Sequence, residues 1–339
     1  MLVAEYAGNE QFRVAERSAS APGPGQVQIE VAFVGICGTD LHIRHGNMDA
    51  RVSIPSPIGH EMSGTVAALG EDVTDLEIGE QVTVMPLRWC GQCAACLSGN
   101  QHVCQNLVFV GIDSAGAMQQ LWTVDRSIVV RIPNELPLDI AALTEPLAVA
   151  VHDVNRARIV AGEKVLVAGG GPIGLLIGLV AHSRGADVRI SEPNEFRRAL
   201  AQRLGLTTLD PISSDVLAAV ETWTDGAGVD AAFEVSGVAP GLQAATHALR
   251  VRGRLVVVAI HSQPVPTDLF RVFWRELELI GARVYERQDF EEAVRLLAAR
   301  EVPAGELISA VEPLGRTPAA FDALESGAGV MKVLIDLRS

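Results

Sequence analysis

Aromatic residues and cysteines are scarce in this chain of 339 residues, and long apolar runs are missing. Aromatic residues make up 4% of it, and there are 5 cysteines. The longest apolar run, around residues 175–181, is too short to span a bilayer. The N-terminus has no cationic start followed by an apolar stretch, as a signal peptide would. We therefore expect no membrane partner and a cytoplasmic location.

Positive charge is also in short supply. Lysine and arginine total 27 against 41 acidic residues, giving a net charge of -14. Such a chain repels phosphate backbones and anionic lipid, so we expect no nucleic-acid partner. The length, with 48% hydrophobic residues, is enough for two domains that each bury a core.

Two different patterns of apolar residues follow each other along the chain. The first third contains short alternating runs, such as residues 26–34, broken by turn signals, and this predicts a small β-barrel-like domain. After Pro146, apolar strands alternate with helical segments, which predicts a parallel sheet covered on both faces. We expect domains at residues 1–150 and 151–288, with residues 289–339 returning to complete the first domain.

Four of the five cysteines fall within fifteen residues, and they have the spacing C-x2-C-x2-C-x7-C. Four thiolates at this spacing can surround one tetrahedral zinc ion and hold together a loop with little apolar core. With all four ligands from protein, such a site has no open position and is structural. An iron–sulfur cluster or four free thiols are the alternatives. The predicted structural zinc ligands are Cys90, Cys93, Cys96 and Cys104.

A second set of metal-binding residue types is spread over the first 150 residues. Cys37 lies in a Gly-Ile-Cys-Gly-Thr-Asp motif, the pair His60-Glu61 follows Gly59, and Glu145 precedes a proline. A thiolate, an imidazole and a carboxylate give three protein ligands and leave the fourth position for substrate or water. This is the arrangement of a catalytic zinc ion.

A glycine-rich loop of the form G-x-G-x-x-G follows an apolar run at residues 165–168 and leads into an apolar helix. In this context the glycines permit a tight turn, close approach of a pyrophosphate and packing of helix on strand. The helix N-terminus then faces the phosphates. The residues expected to contact a dinucleotide here are Gly169, Gly171, Pro172, Ile173 and Gly174.

An acidic residue, Glu192, ends the next predicted strand at the distance that a dinucleotide site requires. Its carboxylate can bind the ribose hydroxyls and repel a 2′-phosphate, which favours NAD over NADP. Arg189, Arg197 and Arg198 lie close by in sequence and could bind a 2′-phosphate instead. We include Arg197 among the residues that contact the cofactor.

Together these motifs resemble the zinc-containing medium-chain dehydrogenase family from end to end. The resemblance implies a GroES-like β-barrel catalytic domain and a Rossmann domain with a doubly wound parallel sheet. Glu145-Pro146, together with Glu61 beside His60, is similar to the sorbitol, xylitol and butanediol branch. Threonine dehydrogenases are also similar but typically have Asp-Pro there. Val284 stands where polyol enzymes commonly have arginine.

The resemblance also implies roles for individual residues. Cys37 and His60 ligate the catalytic zinc, and Glu61 and Glu145 compete for the remaining protein position. Because one thiolate and one carboxylate already neutralise a divalent ion, we expect that the two glutamates do not both bind zinc while alcohol is bound. Zinc acidifies the alcohol, and we expect Thr39 and then His42 to carry its proton to solvent.

We therefore expect a zinc-dependent oxidoreductase, with two zinc ions per chain, that transfers a hydride from a small polyol or secondary alcohol to NAD and gives a ketone. NADP is the less favoured cofactor. The alternatives are an L-threonine 3-dehydrogenase, a sugar-acid or aminopolyol dehydrogenase and, from another class, a zinc-ribbon interaction protein. The family resemblance implies a homo-oligomer, either a dimer or a tetramer.

Overall fold

The structure is a computed structural model that describes residues 1–327 and 329–339. It divides into two compact units. Unit 1 contains Met1–Glu145, Glu286–Arg300 and Ala304–Ser339, and unit 2 contains Pro146–Tyr285 and Glu301–Pro303. The domain limits expected at residues 150 and 288 stay a prediction.

The strands are numbered in chain order. They are β1 (Leu2–Tyr6), β2 (Phe12–Glu16), β3 (Gln26–Gly35), β4 (Ser56–Pro57), β5 (Glu61–Leu69), β6 (Gln81–Val84), β7 (Leu87–Arg88), β8 (Val108–Phe109), β9 (Leu121–Asp125), β10 (Val129–Arg131), β11 (Lys164–Ala168), β12 (Asp187–Ser191), β13 (Thr207–Leu209), β14 (Val229–Glu234), β15 (Leu249–Val257), β16 (Glu278–Gly281), β17 (Ile308–Pro313) and β18 (Lys332–Asp336).

The helices are numbered in the same way. The α-helices are α1 (Gly38–Arg44), α2 (Ala94–Leu97), α3 (Leu138–Ala141), α4 (Thr144–Ala157), α5 (Pro172–Ser183), α6 (Glu195–Arg203), α7 (Val216–Trp223), α8 (Ala239–Ala248), α9 (Leu269–Trp274), α10 (Arg287–Ala298) and α11 (Thr317–Ser326). Short 3-10 helices cover Gln101–Val103, Arg126–Ile128, Ala304–Leu307 and Leu314–Arg316.

Unit 1 is built mainly from strands, as the turn-rich first third of the sequence predicts. Its largest sheet has the order β10-β6-β5-β3-β18-β17, and β9 also pairs with β3. β3 pairs antiparallel with β5 on one side and with β18 on the other. Gly35, at the end of β3, is paired with both Glu61 and Leu334. The end of the chain is thereby brought beside the beginning.

Unit 2 contains a parallel sheet of the order β13-β12-β11-β14-β15-β16. Numbered within the unit, this order is 3-2-1-4-5-6, the order of the dinucleotide-binding Rossmann fold. The strand interiors are continuously apolar because helices cover both faces. β11 and β14, for example, are almost completely buried. The predicted Rossmann sheet is confirmed.

Several elements of unit 2 differ from the sequence pattern. β15 begins at Leu249, six residues before the apolar run at 255 that predicts it, because its first half is a polar extension with three exposed residues in succession. β13, α7 and α9 are not among the predicted elements. Alternation of apolar and polar residues, on which strand prediction depends, is weak in short or exposed elements.

Within the part of the chain that the structure describes, no helix is both long enough and apolar enough to cross a membrane.

Candidate zinc and cofactor sites

Three of the predicted catalytic ligands come together in unit 1. Cys37 follows the end of β3 and precedes α1, while His60 and Glu61 stand at the start of β5. Because β3 and β5 are antiparallel neighbours, the end of β3 lies beside the start of β5. One ligand atom from each of the three side chains lies within 4.8 Å of the others. Gly35 is needed here, since a Cβ at that position would collide with the Glu61 carboxylate.

His60 is buried and held by two neighbours, Asp40 and Phe109, and no role for Asp40 was predicted from the sequence. Its Nδ1 lies 3.7 Å from Oδ1 of the fully buried Asp40. Asp40 is fixed in turn because its Oδ2 accepts a hydrogen bond of 2.9 Å from the N–H of Cys37. The ring of Phe109 meets the imidazole edge to face, with centroids 5.1 Å apart. These contacts leave Nε2 as the nitrogen for a metal ion, since metal-bound histidines commonly direct their other nitrogen at a carboxylate.

The charges around His60 favour its protonated form. Burial opposes the imidazolium, but the charge of Asp40, contact with Cys37 and the charge of Glu145 raise the pKa of His60 to about 10. A metal ion needs the neutral imidazole, so its binding must displace a proton. The donor set of thiolate, imidazole and carboxylate suits zinc.

Glu61 has a partner that no sequence motif indicated. Its Oε2 lies 2.5 Å from Nζ of Lys332, and both side chains are at most 3% exposed. Lys332 also donates to the carbonyl oxygen of Ile36 at 3.1 Å. Burial opposes the ammonium, but the charges of Glu61 and Cys37 raise the pKa of Lys332. A buried carboxylate near the metal ligands is thus already neutralised by a lysine from the last strand.

Glu145 lies in the first turn of α4 and is 4% exposed. It is not part of the group of three ligand atoms within 4.8 Å, although its charge acts on His60 and Lys332. Thr39 and His42 both lie on α1, three positions apart and therefore on one helix face. Thr39 is half-buried and His42 is exposed.

The four clustered cysteines form a second group of ligand atoms within 4.8 Å of one another. Sulfur atoms are separated by 3.5 Å (Cys93 to Cys96), 3.8 Å (Cys93 to Cys104) and 3.5 Å (Cys104 to Cys90). A tetrahedron of zinc–sulfur bonds of about 2.3 Å has edges of about 3.8 Å, so the group fits zinc. The backbone N–H of Gln92 and the Asn106 amide lower the pKa of Cys90 to about 6, which favours the thiolate.

The glycine loop has the shape that a dinucleotide needs. Gly169 has a φ of +109°, in the left-handed region that only glycine adopts without strain. A Cβ at Gly174 would collide with the carbonyl oxygen of Gly169, and a Cβ at Gly170 would lie 2.8 Å from Cβ of Glu192. Gly171 caps α5, and Pro172 is its first residue. Pyrophosphate thus fits against bare backbone at a helix N-terminus.

Glu192 follows β12 and faces this loop. Its Oε2 accepts a hydrogen bond of 2.7 Å from the N–H of Gly170, and its Oε1 accepts one of 2.8 Å from the N–H of Asn194. Of the three arginines nearby in sequence, Arg197 faces this carboxylate, with Nη1 3.9 Å from Oε2, whereas Arg198 donates to the backbone carbonyl oxygen of Glu192 at 2.9 Å. Arg198 also pairs with Asp210 at 3.1 Å.

The remaining arginine, Arg189, packs on an aromatic ring. Its guanidinium carbon lies 4.4 Å from the centre of the Trp223 ring, which it covers. Arg197 is therefore the arginine whose guanidinium the structure places beside the Glu192 carboxylate.

Comparison with known proteins identifies the family of this chain. Residues 23–134 match the family described as alcohol dehydrogenase GroES-like domain, and residues 172–299 match the family described as zinc-binding dehydrogenase. The chain is 50% identical to 2-dehydro-3-deoxy-L-galactonate 5-dehydrogenase of Pseudoalteromonas atlantica, over 99% of this chain and 98% of that relative. It is 32% identical to sorbitol dehydrogenase of Halalkalibacterium halodurans, over 98% of both.

A zinc-binding dehydrogenase from Sinorhizobium meliloti, solved with bound NADP, superimposes with a TM-score of 0.94 at 30% identity and covers 99% of both chains. The chain therefore belongs to the zinc-binding alcohol dehydrogenase family. It is an oxidoreductase with a GroES-like and a Rossmann-type domain, and it uses a nicotinamide dinucleotide. The predicted family, fold class and reaction class are confirmed.

The pairing of Lys332 with Glu61 can be tested by removing the lysine. In Lys332→Met the Glu61 carboxylate stays buried without its cation, so the free energy of unfolding should fall by about 3–5 kcal/mol. Urea denaturation measures the loss. As a control, Arg131→Met breaks the half-exposed pair with Glu80 in the same unit and should cost less than about 1 kcal/mol. Equal losses in the two variants would contradict the buried ion pair.

Proposed function

We propose that this enzyme oxidises a secondary hydroxyl group of an open-chain sugar acid to a ketone, with NAD as the hydride acceptor. The observation that carries the proposal is the group formed by Cys37, His60 and Glu61, which offers a zinc ion three protein ligands. The substrate class is supported by the relative with 50% identity, whose name describes oxidation at carbon 5 of a galactonate derivative. A sugar acid contains secondary hydroxyl groups. The proposed substrate is therefore one class within the secondary alcohols that the sequence predicts.

Each residue of the site has a proposed role. Cys37 and His60 hold the catalytic zinc ion with one carboxylate, from Glu61 or Glu145, and only one of these two binds while alcohol is present. When bound, zinc supplies the Lewis acidity that lowers the pKa of the alcohol. Asp40 orients the imidazole of His60. Thr39 accepts the hydroxyl proton, and His42, on the same face of α1, passes it to solvent.

The remaining parts of the chain have supporting roles in this proposal. Cys90, Cys93, Cys96 and Cys104 hold a structural zinc ion, which makes two ions per chain. Residues 1–150 and 289–339 form the catalytic domain, and residues 151–288 form the cofactor domain. The 5 cysteines form no disulfide bond, which supports the reducing environment of the cytoplasm.

Two matched substitutions test the metal sites. Cys37→Ser and Cys96→Ser should each remove one zinc ion per chain, measured by mass spectrometry of the purified protein. Loss of the catalytic ion removes several kcal/mol of transition-state stabilisation, so activity of Cys37→Ser should fall by about 10³-fold or more at unchanged thermal stability. Cys96→Ser should lose thermal stability instead.

The substrate is tested in the same assays by following NADH formation from 2-dehydro-3-deoxy-L-galactonate, sorbitol, 2,3-butanediol and L-threonine. The acid should have a kcat/KM at least about tenfold higher than the others. A full zinc content in Cys37→Ser, or a preference for L-threonine, would contradict the proposal.

The preference for NAD is tested at Glu192. Its carboxylate lies beside the glycine loop, where it repels a 2′-phosphate, so kcat/KM should be higher with NAD than with NADP. Glu192→Ala should reduce this preference by about tenfold or more, equivalent to about 1.4 kcal/mol. Glu195→Ala, an exposed glutamate in the first turn of α6, is the control and should leave it unchanged. A wild-type preference for NADP would refute the assignment.

We also propose that the protein forms a dimer through unit 2. β16 is the last strand of the parallel sheet, so one edge of its backbone is open to another strand. Beside it in sequence, α9 presents Phe270, Phe273 and Trp274, which are 70%, 75% and 71% exposed. Exposed aromatic clusters of this kind mark interfaces. A second copy, paired antiparallel to β16 about a twofold axis, would cover both features.

Sedimentation analysis tests the dimer. The double variant Phe270→Ser with Trp274→Ser should weaken association by about 100-fold or more, because large aromatic residues dominate interface energies. Leu97→Ser changes a side chain of similar exposure, 77%, in unit 1 and should leave association unchanged. A wild-type protein that sediments as a monomer at micromolar concentration would overturn this interface.

A further inference from the structure

The loop from Phe109 to Ser114 packs directly on the metal ligand His60. Val110 and Ser114 form an isolated bridge that closes the loop. Gly111 approaches so closely that a Cβ there would collide with the carbonyl oxygen of Gly59 and lie 3.2 Å from Cβ of His60. With the Phe109 ring against the imidazole, the loop forms one wall beside the ligand.

Asp113, in this loop, binds the side chain of Arg51. Its carboxylate accepts a hydrogen bond of 2.8 Å from the N–H of Phe109, and it binds Arg51 through two further bonds, from Nε at 2.9 Å and from Nη2 at 3.0 Å. The Arg51 side chain is still 44% exposed. Within residues 1–327 and 329–339, no hydrogen bond from its Nη1 is present. Arg51 thus offers a fixed, solvent-accessible pair of N–H donors one loop away from His60.

Other cations of unit 1 near the metal ligands are occupied. Lys332 is buried against Glu61 and the carbonyl oxygen of Ile36. At the end of α1, Arg44 pairs with Asp322 and Glu325, and His45 pairs with Glu325 at 2.7 Å. Arg51 also has a direct chain of contacts to His60, through Asp113 and Phe109.

The geometry of a sugar acid places its charge within reach of such a group. In a six-carbon acid oxidised at carbon 5, four carbon–carbon bonds of about 1.5 Å separate the reacting carbon from the carboxylate. An ion pair adds up to about 4 Å. A guanidinium that recognises the carboxylate must therefore lie within about 10 Å of the reacting hydroxyl. The proposal requires Arg51 to meet this limit, and two residues, Phe109 and Asp113, link it to His60.

We propose that Arg51 binds the carboxylate of the substrate through Nη1 and selects acids over neutral polyols. Asp113 acts as the positioning residue because it fixes the guanidinium and leaves this one side of it available. The inference rests on the proposed function, since it concerns the end of the same substrate that does not react. Arg51 touches neither the metal ligands nor the transferred hydrogen, so it should contribute to binding and not to the chemical step.

The test compares 2-dehydro-3-deoxy-L-galactonate with its methyl ester in the wild-type enzyme and in Arg51→Met. Loss of a charge-assisted hydrogen bond should raise KM for the acid by about 10- to 100-fold, with kcat within about twofold. The ester has no charge, so its KM should change by less than about threefold. Arg51→Lys keeps the charge without the fork and should restore part of the affinity.

Arg126→Met is the matched control, because Arg126 also forms a two-bond pair, with Asp75 at 3.0 and 2.6 Å. This variant should leave KM and kcat unchanged for both substrates. An unchanged KM for the acid in Arg51→Met, or an equal loss with acid and ester, would overturn the assignment of Arg51 alone. A wild-type enzyme that oxidises 2,3-butanediol but neither oxidises the acid nor is inhibited by it would overturn the proposed function and this inference together.

Discussion

The catalytic end of unit 1 depends on one buried ion pair between Glu61 and Lys332. Three neighbouring strands meet there, because β3 pairs with β5 on one side and with β18 on the other. β5 brings the carboxylate, β18 brings the ammonium, and the chain beyond β3 brings the thiol of Cys37. A buried carboxylate without this cation would be strongly disfavoured. The pairing of β18 with β3 therefore also sets the charge beside the metal ligands.

This pairing changes how the two candidate carboxylates are viewed. Charge counting from the sequence treated Glu61 and Glu145 as equivalent rivals for zinc. In the structure Glu61 lies nearer the other ligand atoms but is already neutralised by Lys332, whereas Glu145 is farther away. Proximity thus favours Glu61, and charge balance with Cys37 favours Glu145. Glu61 and Glu145 therefore differ in their surroundings, which the sequence alone did not show.

The sequence could predict a site where the residues that form it lie close together along the chain. The cysteine cluster and the glycine loop are continuous motifs, and their chemistry is fixed by spacing, so both were found with their ligands. Asp40 stands inside a motif that was noticed, and a carboxylate three residues after Cys37, at the start of a helix, was the available sign of its capping role. Lys332 and Arg51 gave no signal. Their partners lie 271 and 62 residues away, and only the folded chain shows such pairs.

The two proposed metal sites also differ in when they can be completed during synthesis of the chain. The cysteines that would hold the structural ion lie within fifteen residues of each other, so they are made almost together. Glu61 and Cys37 are made even earlier, but the cation that neutralises Glu61 follows it by 271 residues. Synthesis must therefore continue through all of these residues before the catalytic pocket reaches its final charge.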